Sequence, residues 1–520
     1  MTGTRTPNPN PNPTRDRDPE PTDTLTVDTV IVGAGAAGCV LAARLSADPN
    51  HTVLLLEAGP DHGPFDPGRW PAELLDARSA ARGHDWDLAA PPCCARARVV
   101  GGSSAHNGCW ATLGAAADYD AWRPPSGGAI THETLRPHLA EAMATLRVRT
   151  VPSEDQTPWH HAVIEAAGAL GLPFLPDVNA ADAREGIGWV PLNAVGRTRW
   201  HAAFAYLDPA RDRPNLRVLA DTHADRLLLT GDRATGVAAV HAGRPLTVRA
   251  GTVVLACGSY GTPPLLIRSG IGPEPELRRL GAPVVLPLPG VGENLTDHGS
   301  LGLMLDPTSV LAERMPDAAE SYFAQSLVKA RSSRAVDDDW DLHIVPSAGP
   351  AEDAQGFYNG PLSAGLYVFV MAPRSRGRVR ATSLDPTAPP EIDHGFFTDP
   401  EGHDIRVVLD GVDLARDLAS AGPLAGLAGV RRATAAEREP AAVRAAASGY
   451  WHPVGTCAMG PEDDPMAVAG PDGRVHGLAN VHVADASLMP VIPRANTHLT
   501  TVAVASLLAE RLTTTGVAAG

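Results

Sequence analysis

Val27-Asp-Thr-Val-Ile-Val-Gly-Ala-Gly-Ala-Ala-Gly-Cys-Val-Leu-Ala-Ala-Arg-Leu45, followed by Thr52-Val-Leu-Leu-Leu-Glu57, decides the fold. The run Val27–Val32 is short and rich in β-branched residues, as a buried parallel strand requires. It passes directly into Gly33-Ala-Gly-Ala-Ala-Gly38, then into an apolar-periodic helical segment, Cys39 to Leu45. A second apolar strand ends on the carboxylate of Glu57. Each glycine has its own task in such a turn. Gly33 permits the tight turn, Gly35 lets the backbone approach a pyrophosphate, and Gly38 lets helix and strand pack closely. The helix N-terminus offers free N–H groups and a positive dipole end to phosphates. Glu57 stands where it can accept hydrogen bonds from a ribose diol. The unit predicts dinucleotide binding and an α/β fold, and by itself leaves FAD and NAD open.

The whole sequence has 520 residues, enough for two or three domains. Hydrophobic residues make up 44% and charged residues 20%, ordinary for a globular protein. The formal charge is -16, and the densest basic run is Arg374-Ser-Arg-Gly-Arg378, so a nucleic-acid partner is not expected. Cys39, Cys93, Cys94, Cys109, Cys257 and Cys457 form neither a CxxC pattern nor an even ladder, which predicts no metal site and no disulfide framework. Residues 1–24 are rich in Pro, Asn, Thr and charge, and read as a disordered leader without an export signal. No stretch of 18 apolar residues is present, so no membrane span is expected, and the location is read as cytoplasmic.

Further along, several segments share one pattern. They are Arg98-Val-Val-Gly-Gly-Ser-Ser-Ala-His-Asn107 with Asp118-Tyr-Asp-Ala-Trp122, and Gly258-Ser-Tyr-Gly-Thr-Pro-Pro-Leu-Leu-Ile-Arg-Ser-Gly-Ile-Gly272. Val291-Gly-Glu-Asn-Leu-Thr-Asp-His298 follows, then His452-Pro-Val-Gly-Thr-Cys-Ala-Met-Gly460 and Val483-Ala-Asp-Ala-Ser-Leu-Met-Pro490. In this order they resemble the glucose–methanol–choline (GMC) oxidoreductase family over nearly all of residues 27–513. The resemblance implies an FAD-binding Rossmann-like domain, α/β in class and α+β over the whole chain, with a substrate domain built on an antiparallel sheet. The FAD domain is expected at 25–150, 190–305 and 450–515, the substrate domain at 306–449, and 151–189 as a connecting segment. Within the substrate domain, Arg378–Thr382 and Pro390–Asp393 read as strands. The chain is shorter than is usual in the family between Leu146 and Trp159, which leaves the lid over the site open.

The resemblance also assigns residues. Gly101, Gly102, Ser103 and Ser104 form a turn rich in donors, suited to a ring edge or a pyrophosphate. Ala224, at the end of Asn215–Ala224, lies in the stretch whose backbone reads adenine. Asp485 and Ala486 fall on the ribityl and pyrophosphate side. His452 is the expected base, since removing a hydroxyl proton while hydride leaves the same carbon suits a group titrating near working pH. His498 is the expected second member of the pair. Asn496 and Thr497, ahead of a closing helix from Leu499 to Leu512, are expected to stabilise charge at the flavin pyrimidine ring. His106, beside Asn107 in Ser-Ala-His-Asn, is similar to the Ser-His-Asn stretch of choline oxidases, which implies a covalent bond to the flavin. Trp451 and Asp306 are candidate substrate contacts, Asp306 as the partner of a cation, while Trp70, Trp86 and Tyr358 are aromatic candidates for the pocket wall.

The function implied is FAD-dependent hydride removal from the carbinol carbon of a small alcohol. The acceptor, oxygen or a quinone-like molecule, stays open. A lyase on the same fold, with a flavin that undergoes no net redox change, is the alternative.

Overall fold

The protein is described by a computed structural model over residues 23–514, apart from 79, 82, 89–93, 316–320, 323, 350–361 and 431–433. Tyr358 and residues 1–22 of the expected leader lie outside the described residues. Asp23 and Thr24 do not belong to a leader; they open the first strand.

The glycine-turn unit forms as the sequence predicts. Strand β1 (Asp23–Val32) leads into helix α1 (Ala36–Leu45), and strand β2 (Val53–Leu56) returns parallel to β1. Leu216–Leu219 extends the sheet parallel to β2, and Arg244–Leu255 lies parallel to β1 on its other side. Arg244–Leu255 then serves two neighbours along one edge. Its first half pairs antiparallel with Arg233–His241, and residues 253–255 pair parallel with Val481–Val483. The seventh strand, Thr222–Thr230, joins Arg233–His241. Strands buried on both faces read as continuous apolar runs, as Val30–Val32 and Val53–Leu56 do. The closing helix runs Thr497–Thr514 and packs on α1 and on the helix His132–Thr145, within the same apolar core.

A six-stranded antiparallel sheet forms the second unit, in the order 428–430, 300–307, 363–370, 342–349, 326–330 and 186–189. Alternation along Ser363–Val370 divides its side chains between two faces. Leu366, Val368 and Val370 pack into a core with the helices Pro158–Ala169 and His403–Ser420. Tyr367 and Phe369 join a separate cluster with Trp110, Leu192 and Tyr450, toward the first unit. The segment expected to connect the domains therefore contributes both a helix and a strand to this unit. Ser300 to Leu305, placed with the FAD domain by sequence, belongs to it too. Arg378–Arg380 and Glu391–Asp393 are strands as expected, and they pair with each other as a ribbon of their own. No helix of the described residues is long and apolar enough to cross a membrane.

Candidate active site

A cavity of about 520 Å³ runs between the two units, past Gly33 and Gly35, to Tyr450, Trp451 and His452. At its first end the turn of β1 into α1 is held by crowding. Gly33 has φ +100°, and a Cβ there would stand 2.5 Å from the Ala256 carbonyl oxygen; one on Gly38 would stand 1.9 Å from that of Gly33. A Cβ on Gly35 would meet nothing within 4 Å, so this backbone faces open cavity. Glu57 accepts from the N–H groups of Ala34 (3.0 Å) and Gly59 (2.9 Å), and burial pushes its carboxyl up to about 7. A buried carboxylate at the cavity wall with acceptor capacity to spare suits a ribose diol, and bare backbone at a helix N-terminus suits a pyrophosphate. These residues fit the adenosine diphosphate half of FAD.

Most of the other cofactor candidates reach the same wall. Gly102, Ser103, Ser104, His106 and Asn107 line it, as do Ala224, Asp485, Ala486, Asn496 and Thr497. Asp485 accepts from the Gly258 N–H at 2.8 Å and the Thr262 hydroxyl at 2.7 Å, which fixes the mouth of the helix Gly258–Arg268. Gly38 and Gly101 are packing residues set back from the wall. Gly101, at φ +100°, donates its N–H to Ala34 O, and a Cβ on it would meet the ring of His201. His106 donates Nε2–H to Gly83 O at 2.8 Å, and burial holds its pKa near 4, so the ring is neutral.

At the far end stand His452 and its neighbours. Burial pushes the pKa of His452 well below the usual value, with His298, Arg96 and His343 adding to the shift. Its Nδ1 faces His298 Nδ1 at 3.0 Å, and its Nε2 faces Asn496 Nδ2 at 3.1 Å. Asp297 accepts the backbone N–H groups of His298 (2.7 Å) and His452 (3.1 Å) on one oxygen, clamping the two loops together. Burial raises the Asp297 carboxyl to about 6. Donor atoms of Asp297, His298 and His452 lie within 4.8 Å of one another; the histidine nitrogens face each other, and Asp297 Oδ1 is taken up by backbone N–H groups. The cluster is a hydrogen-bond network.

Two expectations are corrected here. His498 lines the cavity, but neither of its nitrogens has a hydrogen-bond partner among the described residues, and burial alone lowers its pKa to about 4. The side chain set against His452 is that of Asn496, expected only as a cofactor donor. Asp306 is exposed on the strand Ser300–Pro307 opposite Gly429, outside the cavity wall, because the strand's alternation turns it away from the core. Trp451, at φ +61°, and Trp86, whose ring meets His223, do line the cavity; Trp70 is buried instead among His62, His201 and Phe204.

Sequence reasoning missed the aromatic wall and the histidine behind His452. Trp110, Tyr322, Tyr367, Phe369 and Tyr450 line the cavity, with the last two stacked at 3.7 Å between centroids. His298 closes the Val291–His298 motif, which carried no assigned role, and nothing in the spacing of 154 residues joins it to His452.

Residues 27–300 match the family model for the GMC oxidoreductase N-terminal part, and residues 373–505 the C-terminal one. An oxygen-dependent choline dehydrogenase of Burkholderia thailandensis is 33% identical, across 93% of each chain. Among solved structures, a pyridoxine 4-oxidase from Mesorbium loti is 27% identical with a TM-score of 0.80, covering 94% of this chain and 99% of its own. A formate oxidase at 22% identity and a TM-score of 0.81, covering 95% and 99%, shares the fold. With both family models matched in order around this cavity, the chain belongs to the GMC oxidoreductases, FAD-dependent enzymes that oxidise alcohol-type donors.

Proposed function

We propose that this enzyme oxidises a small alcohol with an apolar or aromatic body, and that His452 removes the hydroxyl proton. The observation that carries the reading is the pairing of a neutral, buried His452 with Asn496 in the wall of the cavity that also passes Gly35 and Glu57. A hydroxyl placed between these two side chains would accept from Asn496 Nδ2 and donate to His452 Nε2. His452 would take the proton and Asn496 would stabilise the negative charge growing on oxygen. FAD, when bound, would supply the hydride acceptor for the carbinol carbon. Gly35 and Glu57 would hold its adenosine diphosphate half, with Ala224 on the adenine side and Asp485 and Ala486 toward the ribityl chain. Thr497 and His498, in the first turn of the closing helix, would face the flavin.

The chamber itself favours a neutral body. Its described wall is aromatic, and the acidic residues lining the cavity stand elsewhere: Glu57 with Ala34 and Gly59, Asp485 with Gly258, and Asp87 beside Trp86 and its partner His223. The reading includes His106 as the point of covalent attachment, supported by its place in the wall and its neutral ring. The acceptor is oxygen or a quinone-like molecule.

The test is an anaerobic screen of alcohols against the yellow protein, benzylic alcohols and choline among them. Bleaching by an alcohol, with the aldehyde or ketone recovered, is the expected result. A protein that converts a hydroxyl compound without any bleaching would be a lyase, and fastest bleaching by choline would assign the aromatic wall to a cation. Admitting air then distinguishes oxygen from a quinone-like acceptor by whether the colour returns.

A further inference from the structure

We infer that His298 is a positioning residue that fixes His452 in the one neutral form able to act as a base on the cavity side. The carbonyl oxygen of Pro493 can only accept, and it lies 3.1 Å from Nε2 of His298, so that nitrogen carries the hydrogen. Burial holds His298 neutral, at about 3, against the pull of the Pro493 and Met371 carbonyls. A neutral ring protonated on Nε2 presents a lone pair at Nδ1. That lone pair faces Nδ1 of His452 at 3.0 Å, and a contact between two ring nitrogens holds one hydrogen. It belongs to His452, whose Nε2 is thereby left unprotonated.

A second chain of contacts reaches the same ring from the opposite side. The Asn496 backbone N–H donates to Thr112 Oγ1 at 3.0 Å, and Thr112 Oγ1 donates back to Asn496 Oδ1 at 2.6 Å. The amide oxygen is therefore the end turned to Thr112, and the amide nitrogen is the end turned to His452 Nε2. A nitrogen approached by an N–H donor must itself accept. Both routes give His452 as the Nδ1–H form with an unprotonated Nε2. The opposite form would set two lone pairs against each other at His298 and two N–H groups against each other at Asn496. When His452 becomes charged, its Nδ1–H keeps the same acceptor, so the His298 ring does not have to turn over during proton transfer. The two rings stand nearly perpendicular, at 86°.

The inference rests on the reading of His452 as base, and its experiment does not depend on turnover. Histidine-labelled holoenzyme, with FAD bound and oxidised, is measured by nitrogen NMR, and the His452 resonances are assigned by their loss in His452→Asn. The expected spectrum has a protonated Nδ1 and an unprotonated Nε2. A protonated Nε2 overturns the inference even if His452 proves to be the base. His298→Leu, which has no acceptor, should mix the two forms and slow flavin reduction by roughly a hundredfold. Its KM should stay unchanged. His298→Asn places an oxygen near the lost Nδ1 and should restore both the spectrum and most of the rate. Equal rates and unshifted resonances in the Leu and Asn variants would overturn the inference. Loss of FAD in His298→Leu with rescue by Asn supports the acceptor role; loss in both reduces His298 to packing and overturns it. If instead His452→Ala reduces flavin at the wild-type rate, it is the base assignment that has failed.

Discussion

Gly102 lies so close to Gly35 that a Cβ on it would stand 2.6 Å from the Gly35 Cα. Two glycines from segments far apart in sequence thus form one thin wall of the cofactor cavity. Gly102→Ala is expected to lower FAD affinity by at least roughly tenfold, measured as the ratio of flavin to purified protein. The left-handed backbone at φ +52° costs alanine about 1–2 kcal/mol anywhere. Gly127→Ala isolates the rest: it has φ +59° and nothing within 4 Å, so it should lose a little stability and no flavin.

Removing the base should separate binding from chemistry. His452→Ala is expected to keep FAD while anaerobic flavin reduction slows by roughly a hundredfold or more. Asn496→Ala should also cost roughly a hundredfold, the usual effect of deleting one donor aimed at a developing negative oxygen. His498→Ala should cost less than either, because His498 makes no hydrogen bond to His452. Stopped-flow bleaching with one alcohol ranks the three, and a His498 variant slower than the His452 variant would reverse the assignment.

Glu57 predicts a pH dependence of the apo-protein. Burial raises its carboxyl from 4.5 to about 7, so the folded chain keeps a proton that the unfolded chain releases. The stability this contributes is present in full below pH 4.5 and is lost as pH rises through 7. Its size is at most about 3 kcal/mol. In urea unfolding of apo-protein, the advantage of wild type over Glu57→Gln should therefore shrink across that window. A difference that is flat with pH would show that Glu57 titrates normally in the folded chain.

Acid precipitation tests His106. With the covalent bond present, the colour stays in the pellet and a peptide holding His106 gains the mass of FAD. His106→Ala should then release all its flavin into the acid supernatant. Release from wild type would leave the histidine as a neighbour that donates to Gly83.

Asp306→Asn should change neither KM nor kcat for any alcohol, choline included, since the side chain is exposed and off the cavity. Steady-state kinetics with both a neutral and a cationic alcohol check this, and a rise in KM for the cation alone would restore the carboxylate to the substrate site.

The local unit from Val27 to Glu57 was legible because every part of its geometry is set by neighbours in sequence: a strand pattern, three glycines and a helix start. His452, Asn496 and the Gly102 turn were legible as motifs, though Asn496 changed its role. What could not be read is what distant segments do to one another. His298 faces His452 across 154 residues, and the carbonyl that orients it belongs to Pro493. Tyr367 and Phe369 sit in a strand whose residues are all buried, and only pairing with Ser300–Pro307 and Leu342–Gly349 decides which face meets the cavity. Asp306 misled for the same reason: a count from Asp297 and His298 cannot tell which way a strand residue points.

Strand Arg244–Leu255 has a consequence for how the chain is made. Its last three residues pair with Val481–Val483, which emerge from the ribosome more than two hundred residues later. At about 5–20 residues per second, that edge waits for tens of seconds or about ten at the least before its neighbour exists. The closing helix, which supplies Thr497 and His498 to the cavity, arrives later still. During synthesis the apolar run Val253–Leu255 is therefore an open strand edge, a place for holding factors to bind or for two nascent chains to pair wrongly. A chain that stops before residue 481 lacks Asp485, Ala486, Asn496 and Thr497, and with them one wall of the cavity.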